Sequence, residues 1–265
     1  MSPLRRCTLA TLLATTLAPA AQAELLWHNE SLSYLWGRNF RVNPDTQQTF
    51  TLEHASGWSW GDLFLFVDQI NYQGREDYNQ GRSTYYGELQ PRLSLGKLSG
   101  HKMAFGPVKD VLLAASYEFG EGDTESYLLG PGFDLAIPGF DYFQLNVYYR
   151  KPDGHRVRAG AWQVTPAWSY TLPLGRSDLL IDGYIDWVVN NRDASDGRRG
   201  QADYHANLHI NPQVKYDLGK ALGHEPKHLY VGIEYDYWSD KYGIQDSKGF
   251  RTDQNTVSAL VKYHF

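Results

Sequence analysis

Segments of about ten residues in which apolar and polar side chains alternate recur along most of this chain, and period 2 belongs to a β-strand whose two faces meet different surroundings. In Tyr85–Leu95, Tyr85, Leu89, Leu93 and Leu95 face one way; Tyr86, Glu88, Gln90, Arg92 and Ser94 face the other. In Phe143–Lys151, Phe143, Leu145, Val147 and Tyr149 oppose Gln144, Asn146, Tyr148 and Arg150. In Leu179–Asn190, Leu179, Ile181, Ile185, Trp187 and Val189 oppose Asp182, Tyr184, Asp186 and Asn190. Nine more segments read as strands, at roughly 31–40, 48–56, 60–71, 108–119, 126–135, 160–172, 204–216, 228–238 and 255–265. Turn residues at Gly96–Gly100, Pro138-Gly139, Pro173–Arg176 and Gly219–Pro226 separate them, and the polar stretches Gln73–Thr84 and Asn191–Asp203 read as external loops. The pattern predicts an all-β chain of about twelve strands, with no linker or internal repeat.

The last eleven residues indicate what the apolar faces meet. In Asn255–Phe265, Val257, Ala259, Val261, Tyr263 and Phe265 share one side, while Thr256, Ser258, Lys262 and His264 share the other; only Leu260 breaks the pattern. An apolar face ending in aromatics at a terminal Phe is the form of the closing strand of a transmembrane antiparallel β-barrel. Its apolar side then faces lipid and its function lies inside the ring. A soluble sandwich or lipocalin-like barrel also alternates, but with the apolar side inward. Here the polar face carries Glu88, Arg92, Arg150, Asp182, Asp186, His205, His209, Lys215, Glu234, Asp236 and Lys262, and Tyr and Trp gather near strand ends as in an aromatic girdle. Both features favour the membrane barrel.

The other end of the chain agrees. Met1–Ala23 has basic Arg5 and Arg6, a short run from Leu9 to Ala18, and Ala21-Gln22-Ala23 as a cleavage pattern, so it reads as a signal peptide followed by a barrel over 24–265. The leader contains the only cysteine, Cys7, which leaves no thiol or disulfide chemistry in the mature chain. It also carries two arginines and no acid, so its loss takes the net charge from −5 to −7, which speaks against a nucleic-acid partner. No later apolar run reaches the ~18–20 residues of a membrane helix. The mean hydropathy of −0.50 with 14% aromatic residues suits a barrel, in which only alternate strand residues meet lipid.

A twelve-stranded ring lies between small filled barrels and sixteen-stranded porins, so a narrow, partly lined pore is expected. In 60–71, Asp62, Phe64, Phe66 and Asp68 share a face. If that face is lumenal, phenyl rings beside carboxylates suit a solute with a flat base and sugar hydroxyls. If both faces are buried, the rings pack against an inward loop instead. Glu88 and Arg92 are ~13 Å apart on one strand, too far to pair with each other, so each either lines a path or pairs with a neighbouring strand.

Several segments resemble the Tsx/OmpK-like nucleoside-specific channels of Gram-negative outer membranes. They are Thr51–Ala55 (TLEHA), Trp58–Asp68 (WSWGDLFLFVD), Glu88–Leu98 (ELQPRLSLGKL), Phe105–Lys109 (FGPVK), Gly130–Leu135 (GPGFDL), Gln144–Tyr148 (QLNVY) and the Val257–Phe265 end. The likeness covers most of the mature chain in family order and is nearer the OmpK-like branch. It implies a twelve-stranded barrel with a narrow pore, nucleosides as permeants and, for some members, use as a phage receptor. Arg38 and Phe40 resemble an Arg-Phe pair of the family, here split by Asn39. With the lumen chemistry, it nominates Glu53, Phe64, Phe66, Asp68, Glu88 and Arg92 as lining residues, and Arg38, Phe40, Arg150, Asp182, Tyr184 and Asp186 as a secondary set.

The expected function is passive uptake of nucleosides or similar small solutes across the outer membrane, without a cofactor. The acidic excess predicts a mild preference for neutral or cationic solutes. The alternatives are a general small-solute channel and a plugged barrel with a structural or adhesive role. The expected surroundings are bilayer lipid and lipopolysaccharide, with insertion machinery reading Tyr263 and Phe265 at the terminus, and a monomer as the default. An outer-membrane hydrolase needs a Ser–His pair with a third polar group; no G-x-S-x-G occurs, though barrel lipases need not carry one, and no enzyme is expected. His205 and His209 are ~13 Å apart on their strand and are poor joint metal ligands.

Overall fold

The computed structural model describes residues 23–78, 81–122, 124–153, 160–189, 205–245 and 247–265. The expected leader, except Ala23, and the expected loop Asn191–Asp203 lie outside them. Twelve strands form: β1 Leu25–Arg38, β2 Thr46–Trp58, β3 Gly61–Tyr72, β4 Ser83–Ser94, β5 Val108–Gly120, β6 Ser126–Leu135, β7 Tyr142–Pro152, β8 Ala161–Leu174, β9 Ser177–Val189, β10 Asn207–Asp217, β11 Leu229–Ser239 and β12 Gln254–His264. Every one coincides with an expected segment to within a few residues. The largest extension is β1, which begins six residues before the expected Ser31 because Trp27 to Glu30 pair with His54 to Gly57 of β2. Two of the expected turns contain short helices, α1 Leu95–Ser99 and α2 Leu218–Ala221. Ser94 and Asp217 cap them by accepting from the Lys97 and Lys220 amides.

Each strand pairs antiparallel with its neighbour, and β12 pairs with β1, Leu32 opposite Tyr263 and Arg38 opposite Val257, so the ring closes without a free edge. Burial follows the alternation read from sequence. In β12, Thr256, Ser258, Leu260 and Lys262 are buried inside while Val257, Val261 and Tyr263 are exposed outside. Leu260, the residue out of pattern, is simply an apolar side chain within the lumen wall. The outer face exposes Leu32, Leu52, Leu89, Leu113, Leu129 and Ile233. Tyr85, Tyr127, Tyr149, Trp162 and Trp187 stand near one rim, and Tyr263 and Phe265 near the other, as two interface belts do.

The two ends differ. Residue 23, where the described part begins, the C-terminal Phe265 and the 59–60, 95–107, 136–141, 175–176 and 218–228 connections lie at one end, called the turn end below. Strands β1, β3, β5, β7, β9 and β11 finish at the opposite end, called the loop end. In β6, Gly130 marks a close approach, since a Cβ there would sit 1.9 Å from the Val147 carbonyl oxygen. It is followed by Pro131, which lacks an N–H, at the gap in the β6–β7 register.

Candidate functional site

Alternation alone decides which side chains reach the lumen, and strand pairing then sets them side by side. Glu53, Phe64, Phe66, Asp68, Glu88, Arg92, Arg150, Asp182, Tyr184 and Asp186 all project inward, as their partners show. Arg38 does not. It lies on the opposite face of β1 from buried Ser33 and Leu35, with its guanidinium 4.9 Å from the Trp36 ring on the outer wall. The strand runs unbroken to Arg38, so parity places it outside and corrects the expectation of a lining residue. Phe40, past the strand end, turns back over the lumen side and packs near Gly37.

Toward the turn end, basic side chains are clamped by acids. Arg92, 4% exposed, donates from Nε and Nη2 to Asp62 at 2.8 and 2.6 Å, and its Nη2 lies 3.0 Å from Asp134 on β6. Lys215 reaches Asp182 at 2.7 Å, and Lys262 binds Glu53, which also accepts from Ser31. The reading of Arg92 as a partner of neighbouring strands is the one the geometry realises. Glu88 instead accepts from uncharged groups: Tyr86 at 2.7 Å, Gln90 at 2.5 Å and Ser116 of β5 at 3.4 Å.

From mid-barrel to the loop end, acid outweighs base. Asp68 accepts from Thr51 at 2.6 Å, Asp186 from Thr165 at 2.6 Å, and Glu234 from Gln213 at 2.8 Å. Among the described residues, none of these three, nor Glu88, has a cation within ion-pair distance. Arg150 binds Glu118 through both terminal nitrogens. Rings line the same zone. Phe64 and Phe66 are 6.0 Å apart between centroids, and Phe66 is 5.9 Å from Tyr86. His209 stacks on Trp238 at 3.9 Å, bonds Asp236 at 3.0 Å and meets Tyr184 edge-on at 5.3 Å.

At the loop end a tight turn, Lys241–Gly243, drops Lys241 inward. Its ammonium donates to Gln254 Oε1 at 2.7 Å and lies 5.1–6.0 Å from the Tyr242, Trp238 and Phe40 rings. Burial pushes Lys241 down to about 8, although Asp236 pulls in the opposite direction. Tyr242 donates to Asn43, which donates to Tyr72, tying the 240–253 loop to the 39–45 loop. Asn39, Val42, Asp240 and Tyr242 all have positive φ in these two loops; Asn and Asp tolerate it, whereas bulky Tyr242 is held there by its bond to Asn43. Sequence reasoning missed Glu118, Asp134 and Lys241. Glu118 and Asp134 were legible from parity within 108–119 and 126–135; Lys241 follows no strand period and left no signal.

Fold and lining together define a transmembrane β-barrel of the channel-forming class, whose polar lumen face is aromatic and acidic toward one end. Its sequence matches, over residues 25–265, the family described as nucleoside-specific channel-forming protein, Tsx, and the chain belongs to that family. It is 27% identical over 157 residues to the outer membrane protein OmpK of Vibrio parahaemolyticus, covering 57% of this chain and 59% of the relative's length. It is also 27% identical over 238 residues to the nucleoside-specific channel-forming protein Tsx of Salmonella typhimurium, covering 80% of this chain and 73% of that one. Among solved structures, the KdgM porin aligns with a TM-score of 0.47 at 11% identity, over 89% of this chain and 99% of that one.

Proposed function

We propose that this protein is a passive outer-membrane channel for nucleosides or similar small solutes. The observation that carries the reading is the placement of Phe64 and Phe66 beside Tyr86 on the lumen wall, next to Asp68 and Glu88. A base stacks on rings of this kind with any π-face, and carboxylates accept from ribose hydroxyls. The acidic loop half favours neutral and cationic solutes over anionic ones. Membership of a family described as nucleoside-specific supports the same permeant. The loop end then faces outward and the turn end faces the periplasm, since outer-membrane barrels have short periplasmic turns. A leader cleaved after Ala23 delivers the chain, Tyr263 and Phe265 mark it for insertion, and it acts as a monomer.

The test is block of single-channel current by adenosine or thymidine in a planar bilayer, from micromolar to millimolar concentration. Stacking is worth ~1–3 kcal/mol per base, so Phe64→Ala or Phe66→Ala weakens block by roughly 5- to 150-fold. Current without block in the wild type leaves a general small-solute channel, and no current at all leaves a plugged, structural barrel.

A further inference from the structure

A second constellation lies on the outer wall, where the channel reading has no use for it. Glu30 on β1 and His54 on β2 are register partners. They face outward, because their neighbours Ser31 and Glu53 bond to each other inside, while Leu32 and Leu52 on the same outer face are exposed. His54 Nδ1 is 2.9 Å from Glu30 Oε1, and its Nε2 is 2.9 Å from Ser56 Oγ. Trp58, two residues on, donates from its indole Nε1 to the same Ser56 Oγ at 2.9 Å.

Donor and acceptor chemistry fixes the order of these bonds. The Glu30 carboxylate can only accept, so His54 Nδ1–H donates to it, and in the neutral ring Nε2 then carries no proton. Ser56 Oγ accepts from the Trp58 indole N–H and turns its own proton to that free Nε2. This is the tautomer and the sequence of contacts that activate a serine hydroxyl: base on the nucleophile, carboxylate on the base. The depth is also specific. Trp58 stacks with Trp60 at 6.0 Å and 17° at the turn-end rim, where interface tryptophans mark the headgroup level. Ser56 lies ~7 Å further along the strand, just inside that level, where a leaflet of glycerophospholipids holds its ester carbonyls. Ser56 itself is 0% exposed, covered by the His54 and Trp58 side chains on its own strand and flanked by His28 and Leu63 on the next. The Trp58 indole therefore acts as a one-residue lid over the Ser56 hydroxyl, held there by its N–H bond to Oγ.

We propose that Ser56, His54 and Glu30 form an acyl-transfer site on the lipid-facing wall, with glycerophospholipid esters of the adjoining leaflet as substrate class. Ser56 Oγ bonds to the ester carbonyl carbon and passes its proton to His54 Nε2. The carbon–oxygen bond to glycerol breaks, and the lysophospholipid leaves with that proton. Water then attacks acyl-Ser56, gives its proton to His54 and releases the fatty acid, and the proton returns to Ser56.

The test uses the full barrel refolded into phosphatidylethanolamine–phosphatidylglycerol vesicles. It has two readouts: covalent labelling by a fluorophosphonate probe, mapped by mass spectrometry, and release of free fatty acid. The expected result is labelling at Ser56 that disappears in Ser56→Ala, falls roughly 100-fold in rate in His54→Gln, and rises in Trp58→Ala as the lid is removed. Heat-modifiable electrophoretic migration verifies that each variant is a folded barrel. Absence of label from Ser56 in both the wild type and folded Trp58→Ala overturns the proposal, as does label that is indifferent to His54→Gln. Labelling without fatty acid release overturns the lipid substrate.

Discussion

Replacing Arg92 with leucine is expected to destabilise the barrel by about 3 kcal/mol. Three charge-assisted contacts disappear, at 2.8, 2.6 and 3.0 Å, and two carboxylates from β3 and β6 are left facing the same gap. Breaking a buried pair on one side costs about 3–5 kcal/mol. The lower end applies because Asp62 and Asp134 keep 26% and 28% exposure to lumen water. The assay is equilibrium urea unfolding of the refolded barrel, read as a lower midpoint at unchanged slope. A triple variant, Asp62→Asn with Asp134→Asn and Arg92→Leu, removes the stranded charges and should recover most of the loss. If the triple variant is as unstable as the single one, the cost is lost packing rather than unpaired charge, and the electrostatic account fails.

Lys241 gives a pH signature. Between about 8 and the ordinary lysine value near 10.5, the unfolded chain holds a proton that the folded chain has released, so this group's contribution to stability rises with pH across that window. The wild-type urea midpoint relative to Lys241→Met should climb from pH 8 to pH 10; a flat difference refutes the assignment. Gly130→Ala forces a methyl against the Val147 carbonyl and should cost about 1–3 kcal/mol by the same assay. Gly249→Ala, in open space at an ordinary φ, should cost close to nothing.

What could be read from the chain follows from what period 2 encodes. It separated the two faces wherever the alternation was clear, so Glu88 and Asp186 fell on the polar side; for 60–71 the face of Phe64 and Asp68 stayed open until the β2–β3 register set it inward. It failed where a side chain's position depends on something other than its own strand. Arg38 was nominated from a resemblance, although its parity with Trp36 and Leu32 points it outward. Lys241 reaches the lumen only through a turn in which Asp240 and Tyr242 adopt positive φ, held by bonds to a loop some two hundred positions away. The pairs Arg92–Asp134 and Lys262–Glu53 each span an intervening strand, so no pattern within one strand announces them. The Glu30–His54–Ser56 alignment is of the same kind: His54 and Ser56 share a face by spacing, but Glu30 joins them only through the β1–β2 register.

The Lys262–Glu53 contact joins positions 209 residues apart, from β12 to β2 across β1. Glu53 belongs to the first hairpin made, and its cation belongs to the last strand made. Until the final hairpin docks, the growing sheet carries a carboxylate on its future inner surface whose local partner among the described residues is the Ser31 hydroxyl. Arrival of β12 supplies backbone pairing and the missing charge in one step. An out-of-register closure forfeits that ion pair. Assembly has in this residue a built-in check that the right last strand has met the right first one.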